Sequence, residues 1–186
     1  MMDPFEIKFI LSTFSIIVDT REQNTPDALA RFSAFGVPVE RATLAYGDYC
    51  GQIMFPDGRK LYDTTQTIKP ICCIERKMNL EELAMCFTRG RDRFRREFER
   101  AAAEGASVWL LIENGSWEAI NQHRYRSKFN ENALRGSLIA WINRYGLKHE
   151  FCKSGTSGSL IKEILYRDMK ERLEGGEFER RMGEGQ

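Results

Sequence analysis

The sequence lacks the parts of a zinc site. Its 186 residues include only two histidines, His123 and His149, and five cysteines, Cys50, Cys72, Cys73, Cys86 and Cys152. No two cysteines form a C-x-x-C pair, and neither histidine stands near a cysteine in sequence, which argues against tetrahedral thiolate–imidazole coordination. The odd count reads as buried, reduced thiols of a cytosolic protein. A long apolar run is missing too. The stretch from Phe9 to Val18 is interrupted by Ser12, Thr13 and Ser15 and is too short to span a bilayer. Asp3 and Glu6 precede it where a signal peptide would carry basic residues. Neither a membrane segment nor a signal peptide is expected. Excess charge is also absent. Lysine and arginine total 28 against 27 aspartates and glutamates, a net charge of +1. A nucleic-acid partner would therefore have to be met by a local cluster of cations.

What is present is ordinary for a globular chain. Hydrophobic residues make up 42% of it, and the length suits one domain with a sizeable core. The expected organisation is a single domain over 1–174 and a polar, glycine-rich, frayed tail over 175–186. "SIIVD" (15–19) reads as a short buried strand. "PDALARFSAFG" (26–36) reads as a helix with Leu29, Phe32 and Phe35 on one face and Gly36 as its stop. The segment 37–55 is β-rich with a break at Gly47. Asp57-Gly58 marks a hairpin tip, and the chain returns as a strand over 68–76. A helix capped by Asn79 follows, broken or kinked at Gly90. Then come a strand over 106–113 ending in a carboxylate, a helix over 130–146, a short strand over 147–152 and a last helix over 157–176. This alternation predicts α/β architecture, a mixed sheet covered by helices on both faces. The sequence contains no internal repeat.

Carboxylates recur at the predicted strand ends. Asp19 closes the first strand, with Glu22 three residues on; Asp48 lies in "YGDY"; Glu75 lies in "IERK". Acids gathered from neighbouring strands repel one another unless a hard cation holds them, and Mg²⁺ takes oxygen ligands of this kind. On a strand, Glu75 and Lys77 point to one side and Arg76 to the other. A metal-binding carboxylate and an amine facing one pocket suit phosphodiester hydrolysis. The cation polarises the phosphate. Lys77 orients or helps deprotonate the attacking water, then stabilises charge on the phosphorane.

In their order, "IIVDTREQ", "LAYGDYC" and "IERKMNLEEL" resemble the nuclease domain of the XPF-type structure-specific endonucleases, a branch of the restriction-endonuclease-like fold. That family shows V-D-x-R-E, G-D and E-R-K-x-x-x-D, and the strong matches here cover about residues 15–115. The resemblance implies that Asp48 and Glu75 are the central ligands of Mg²⁺ or Mn²⁺. It implies that Asp19 and Glu22 support the metal directly or through water, and that Lys77 is the catalytic lysine. Arg76 and Arg21 would contact phosphate or brace the carboxylates. It further implies an endodeoxyribonuclease acting on branched, flap or junction DNA in repair, recombination or replication, with a possible homodimeric, helicase or repair partner. The last acid of the family motif is Glu81 here, a longer side chain than the family's aspartate. No G-x-G hairpin pairs occur between Leu160 and Gln186, so the chain resembles stand-alone phage and bacterial forms without a helix-hairpin-helix module. Its expected location is the cytoplasm of a bacterium or of a phage-infected host cell. A non-catalytic DNA-binding or partner subunit of the same fold is the alternative; the intact acids and lysine argue against it.

"TRGRDRFRREFER" supplies the local cations. Arg93, Arg96 and Arg100 share one helical face, opposite Phe94, Phe98 and Ala101. Such a face suits phosphate oxygens without reading sequence. Arg89 and Arg91, beside Gly90, are expected nearest the scissile region. Glu97 and Glu99 stand four residues after Arg93 and Arg95 and offset part of the charge. A second basic-aromatic patch, "HRYRSKF" (123–129), reads either as a stacking loop for single-stranded bases or as ordinary surface.

Overall fold

The computed structural model describes residues 2–178. The chain opens with a helix that the sequence pattern does not announce. Asp3 caps α1 (Pro4–Ser12) by accepting from the Phe5 N–H at 2.8 Å, and Pro4 takes the first turn, where its missing N–H costs nothing. The apolar run from Phe9 straddles the end of this helix and the start of β1 (Ser15–Asp19), so its periodicity shows neither element cleanly. There follow α2 (Pro26–Ala34), β2 (Val39–Ala42), β3 (Tyr49–Gln52) and β4 (Cys72–Lys77). The second half contains α3 (Leu80–Phe87), α4 (Arg91–Ala103), β5 (Ser107–Glu113), α5 (Trp117–Asn121), α6 (Glu131–Tyr145), β6 (Lys148–Cys152) and α7 (Ser154–Glu174).

The strands form one six-stranded sheet in the order β2-β1-β3-β4-β5-β6. β1 runs parallel to β2, and β4 to β5 to β6; β3 is antiparallel to both β1 and β4. The sheet is therefore mixed, and helices cover both faces. On one face Ile17, Cys50, Cys73, Leu110 and Ile112 pack under Leu83, Phe87, Phe94, Phe98, Leu138 and Trp141 of α3, α4 and α6. On the other, Ile16, Val18, Tyr49, Ile74 and Leu111 pack under Ile10 of α1 and Ile161, Leu165 and Met169 of α7. Each of these side-chain sets alternates along its strand, as a pleat buried on both sides requires.

Two expectations change. In α2 the buried side chains are Ala28 and Arg31, while Leu29 is 52% exposed. Phe35 is buried and Phe32 packs against the core as expected, so only Leu29 departs from the stripe, while Arg31 is buried against its partner Glu113. At the other end, Phe178 is buried and its ring lies edge-on to Phe55 at 5.9 Å. The segment expected to fray from 175 thus begins as packed chain; the rest of that expected tail, 179–186, lies outside the described residues. The helix breaks at Gly90 as expected, and Asn79 caps α3 by accepting from the Glu82 N–H at 2.9 Å. Among the described residues no helix is long and apolar enough to cross a membrane. All five cysteines are free, Cys50, Cys72 and Cys73 buried, Cys86 and Cys152 only partly so.

Candidate active site

Asp48 sits where three strands meet. Its carbonyl accepts from the Asp19 N–H of β1 at 2.9 Å, and its own N–H donates to the Ile74 carbonyl of β4 at 2.7 Å. Its carboxylate Oδ2 accepts from the Arg76 N–H at 2.7 Å. The turn into this position needs Gly47, whose φ is +76° and whose missing Cβ would lie 2.8 Å from the Cys73 side chain. Only glycine meets both demands.

β4 delivers the other groups by alternation. Glu75 and Lys77 project from the face that Cys73 shares, and Arg76 projects from the face of Ile74. Glu75 and Lys77 are both buried and hydrogen-bonded to each other. The Lys77 ammonium also stands 3.9 Å from Glu82 and 5.0 Å over the Phe94 ring. Arg21, Glu22, Asp48, Glu75, Lys77, Arg93 and Glu97 are among the residues around one cavity of about 290 Å³.

The electrostatics of this cavity are those of acids held too close. Burial, then the Glu75 carboxylate, push Asp48 well above the ordinary carboxylate value, against the pull of Lys77 and the Arg76 N–H. Burial pulls Lys77 down, but the Glu75 and Asp48 carboxylates outweigh it and hold the amine above its usual value, a cation at neutral pH. Glu97, from α4, is raised by burial and by Glu75; it stands 3.7 Å from Arg21. A divalent cation relieves this kind of repulsion with oxygen ligands, so Asp48 and Glu75 fit one. Among the described residues, no three His, Cys, Asp or Glu side chains are grouped to hold a metal.

Asp19 and Glu22 already carry hydrogen-bond partners, and Glu22 also lines this cavity. Asp19 accepts from the Arg21 N–H at 2.8 Å and Arg21 Nε at 2.6 Å, and its Oδ2 accepts from the Leu44 N–H at 2.7 Å. It fixes the turn after β1. Glu22 Oε1 accepts from Arg31, Arg76 and Tyr49 at 3.1–3.3 Å. Arg76 also donates to Glu113 at 3.1 Å. The bracing role expected of Arg21 and Arg76 is thus visible in both. Glu81 accepts from the N–H groups of Arg126 and Ser127 at 2.7 and 2.8 Å, so it anchors the 123–129 loop, where His123 and Tyr125 stack on each other at 4.2 Å.

The arginine run divides. Arg93, Arg96 and Arg100 lie exposed along α4. Arg93 lines the cavity of Asp48 and Glu75, and Arg89 joins it in an adjoining cavity of about 240 Å³ that also contains Lys77. Arg91, expected near the site, instead lies 5.7 Å over the Trp141 ring, because the start of α4 turns it back toward α6. Arg100 donates to the Ala45 carbonyl at 3.1 Å. The sequence assigns no site role to Arg31, Tyr49, Glu82, Glu97 or Glu113. Glu97 reads there only as an offset to Arg93, and Glu113 only as the carboxylate ending a buried strand.

The ERCC4 domain model matches residues 18–164. Among solved structures, XPF from Aeropyrum pernix superposes with a TM-score of 0.58 at 19% identity, over 88% of this chain and 69% of that one. XPF from Aeropyrum pernix in complex with DNA gives 0.56 at 21% identity, over 84% and 65%. No curated protein matches the chain by sequence. At these identities the structural likeness concerns the fold, the restriction-endonuclease-like sheet of XPF nucleases anticipated from the three motifs. With the family model matching residues 18–164 of 186, the chain belongs to the ERCC4 domain family.

Proposed function

We propose that the protein is a DNA endonuclease that hydrolyses phosphodiester bonds with Mg²⁺ or Mn²⁺. The observation that carries this reading is the pairing of two crowded carboxylates, Asp48 and Glu75, with the cationic Lys77 in one cavity. Asp48 and Glu75 would hold the cation. When bound, it supplies Lewis-acid polarisation of the phosphate and a source of hydroxide near neutral pH.

The chain's own groups do the rest. Lys77 orients the attacking water and serves as a charge aimed at the phosphate oxygens. Glu75 and the Phe94 ring fix its direction. Arg93 and Arg89 extend the positive surface from the cavity along the groove, and Arg96 and Arg100 continue it along α4, where they grip backbone phosphates without reading bases. Branched DNA, a flap or a junction, is the proposed substrate, with repair, recombination or replication as its setting and a second copy or a helicase as its partner. The similarity to an Aeropyrum pernix XPF solved in complex with DNA supports DNA as the ligand, not its branched form.

The test is a panel of labelled flap, fork and plasmid substrates with Mg²⁺ or Mn²⁺. Wild type is expected to cut at least one, and Glu75→Ala and Lys77→Ala to bind DNA without cutting. Salt-sensitive binding with no cleavage by wild type would instead identify a DNA-binding subunit.

A further inference from the structure

Beside the cavity four charged side chains close a ring, and two of them, Glu22 and Arg76, also line the cavity. Arg31 of α2 donates to Glu22 at 3.3 Å and to Glu113 at 3.2 Å. Arg76 of β4 donates to the same two carboxylates at 3.3 and 3.1 Å. Two cations and two anions alternate, so the ring is neutral. Arg31 and Glu113 are 6% and 2% exposed. Tyr49 adds its hydroxyl, donating to Glu22 at 3.1 Å, and Ser157 of α7 accepts from Arg31 Nε at 3.3 Å. Gly158 lets α7 approach: a Cβ there would lie 2.6 Å from the Arg31 carbonyl.

The ring gathers the ends of β4 and β5, the loop after β1, and helices α2 and α7. A buried ion ring is weak evidence for stability, since an apolar cluster would hold these elements together as well. What charge adds is direction. The Arg76 guanidinium offers one terminal nitrogen to each carboxylate, while its Nε is buried with no hydrogen-bond partner among the described residues. Arg76 is thus placed by the ring rather than by its own best solvation. The backbone N–H of this same residue donates to the Asp48 carboxylate.

We propose that Arg31 and Glu113 are positioning residues, which set the Asp48 carboxylate by fixing Arg76 from outside the cavity. Neither residue touches the cavity's reacting groups. The role rests on the reading of Asp48 and Glu75 as the reacting pair, and it resembles the outer partners that orient metal ligands elsewhere.

Glu113→Gln keeps the shape of the ring and removes one charge; Arg31→Lys removes the fork that bridges Glu22 and Glu113. Three quantities are read in folded protein: the Arg76 amide resonance in the metal-free state, Mn²⁺ affinity by calorimetry, and kcat against KM. The amide is expected to shift and to lose exchange protection in both variants. Mn²⁺ affinity and kcat are expected to fall by about tenfold or more, with KM for DNA unchanged. An unmoved Arg76 amide overturns the proposal. So does a moved amide with wild-type Mn²⁺ affinity and kcat, which would make the ring a purely structural clamp. Should either variant fail to fold, Tyr49→Phe removes a single hydroxyl from Glu22 and is read the same way, with a smaller shift in the same direction. If wild type itself cuts no DNA, the nuclease reading fails, and the amide and Mn²⁺ measurements still judge the ring.

Discussion

Arg76 and Asp48 are joined across two strands by one short bond: the Arg76 N–H donates to Asp48 Oδ2 at 2.7 Å. The backbone of one residue holds the carboxylate while its side chain is engaged by Glu22 and Glu113. The strand backbone thus contributes to the placement of Asp48, and side-chain changes at Asp48 should act on chemistry more than on folding.

Asp48→Asn, Glu75→Gln and Lys77→Ala should each reduce cleavage by several orders of magnitude. Asp48→Asn removes a charge that burial and Glu75 both oppose, so it should leave the melting temperature unchanged or raise it. Lys77→Ala strips the buried Glu75 of its cation and should destabilise, because an uncompensated buried charge remains. Thermal melts alongside cleavage assays separate these outcomes. A stabilised Lys77→Ala would contradict the pairing.

Arg93→Ala and Arg96→Ala should weaken binding to all DNA sequences alike. Each lost phosphate contact lowers the slope of log K against log salt by about one unit. The double variant should lose about two, measured by titrations across a range of salt. Arg91→Ala, whose guanidinium lies over Trp141, should leave the slope unchanged.

Gly47→Ala should destabilise the fold by at least about 1–3 kcal/mol from its left-handed backbone alone, with the close approach to Cys73 adding to that. Chemical denaturation measures the loss. Gly105→Ala, also at positive φ but with nothing within 4 Å of the added carbon, should cost less, and the difference isolates the clash.

His123 should titrate above its ordinary value, held up first by its bond to Glu131 and then by its bond to the Ser127 carbonyl. A raised folded value means that the pair's stabilisation is full below the unfolded pKa, about 6.5, and is lost as pH rises through the folded one. Proton NMR of the imidazole checks this. Glu131→Gln should bring the titration back toward the unfolded value and flatten the pH dependence of melting.

The alternation of β4 was legible from sequence, because a period of two assigns Glu75 and Lys77 to one side and Arg76 to the other without any tertiary knowledge. So were the cap at Asn79 and the break at Gly90, which are local. The ring was not legible. Arg31 and Glu113 are 82 positions apart, and nothing near either residue says that one will find the other. The burial of Arg31 while Leu29 stays exposed is the same blindness from the other side. The partners of the four strand-end acids were not legible either, for a related reason. Sequence shows which acids stand at strand ends, but not which of them backbone amides and arginines already occupy, as they do Asp19 and Glu22.

The placement of β3 has a consequence for how much length this chain tolerates. Asp48 enters β3 at one end, and Lys77 leaves β4 at that same end; Gln52 and Cys72 mark the other. The excursion over 53–71 is therefore tethered to the sheet roughly 15 Å away from the reacting groups, a strand's length at about 3.3 Å per residue. Its tip, at Asp57-Gly58, is a tight turn closed by the Gly58 N–H to the Phe55 carbonyl. Residues added at that tip lengthen a surface arm and leave the spacing of Asp48 and Glu75 untouched, since that spacing is set by pairing between strands and not by the contour of the chain between them. A reporter peptide or a tether to a solid support belongs at this tip, where it would report on an active molecule.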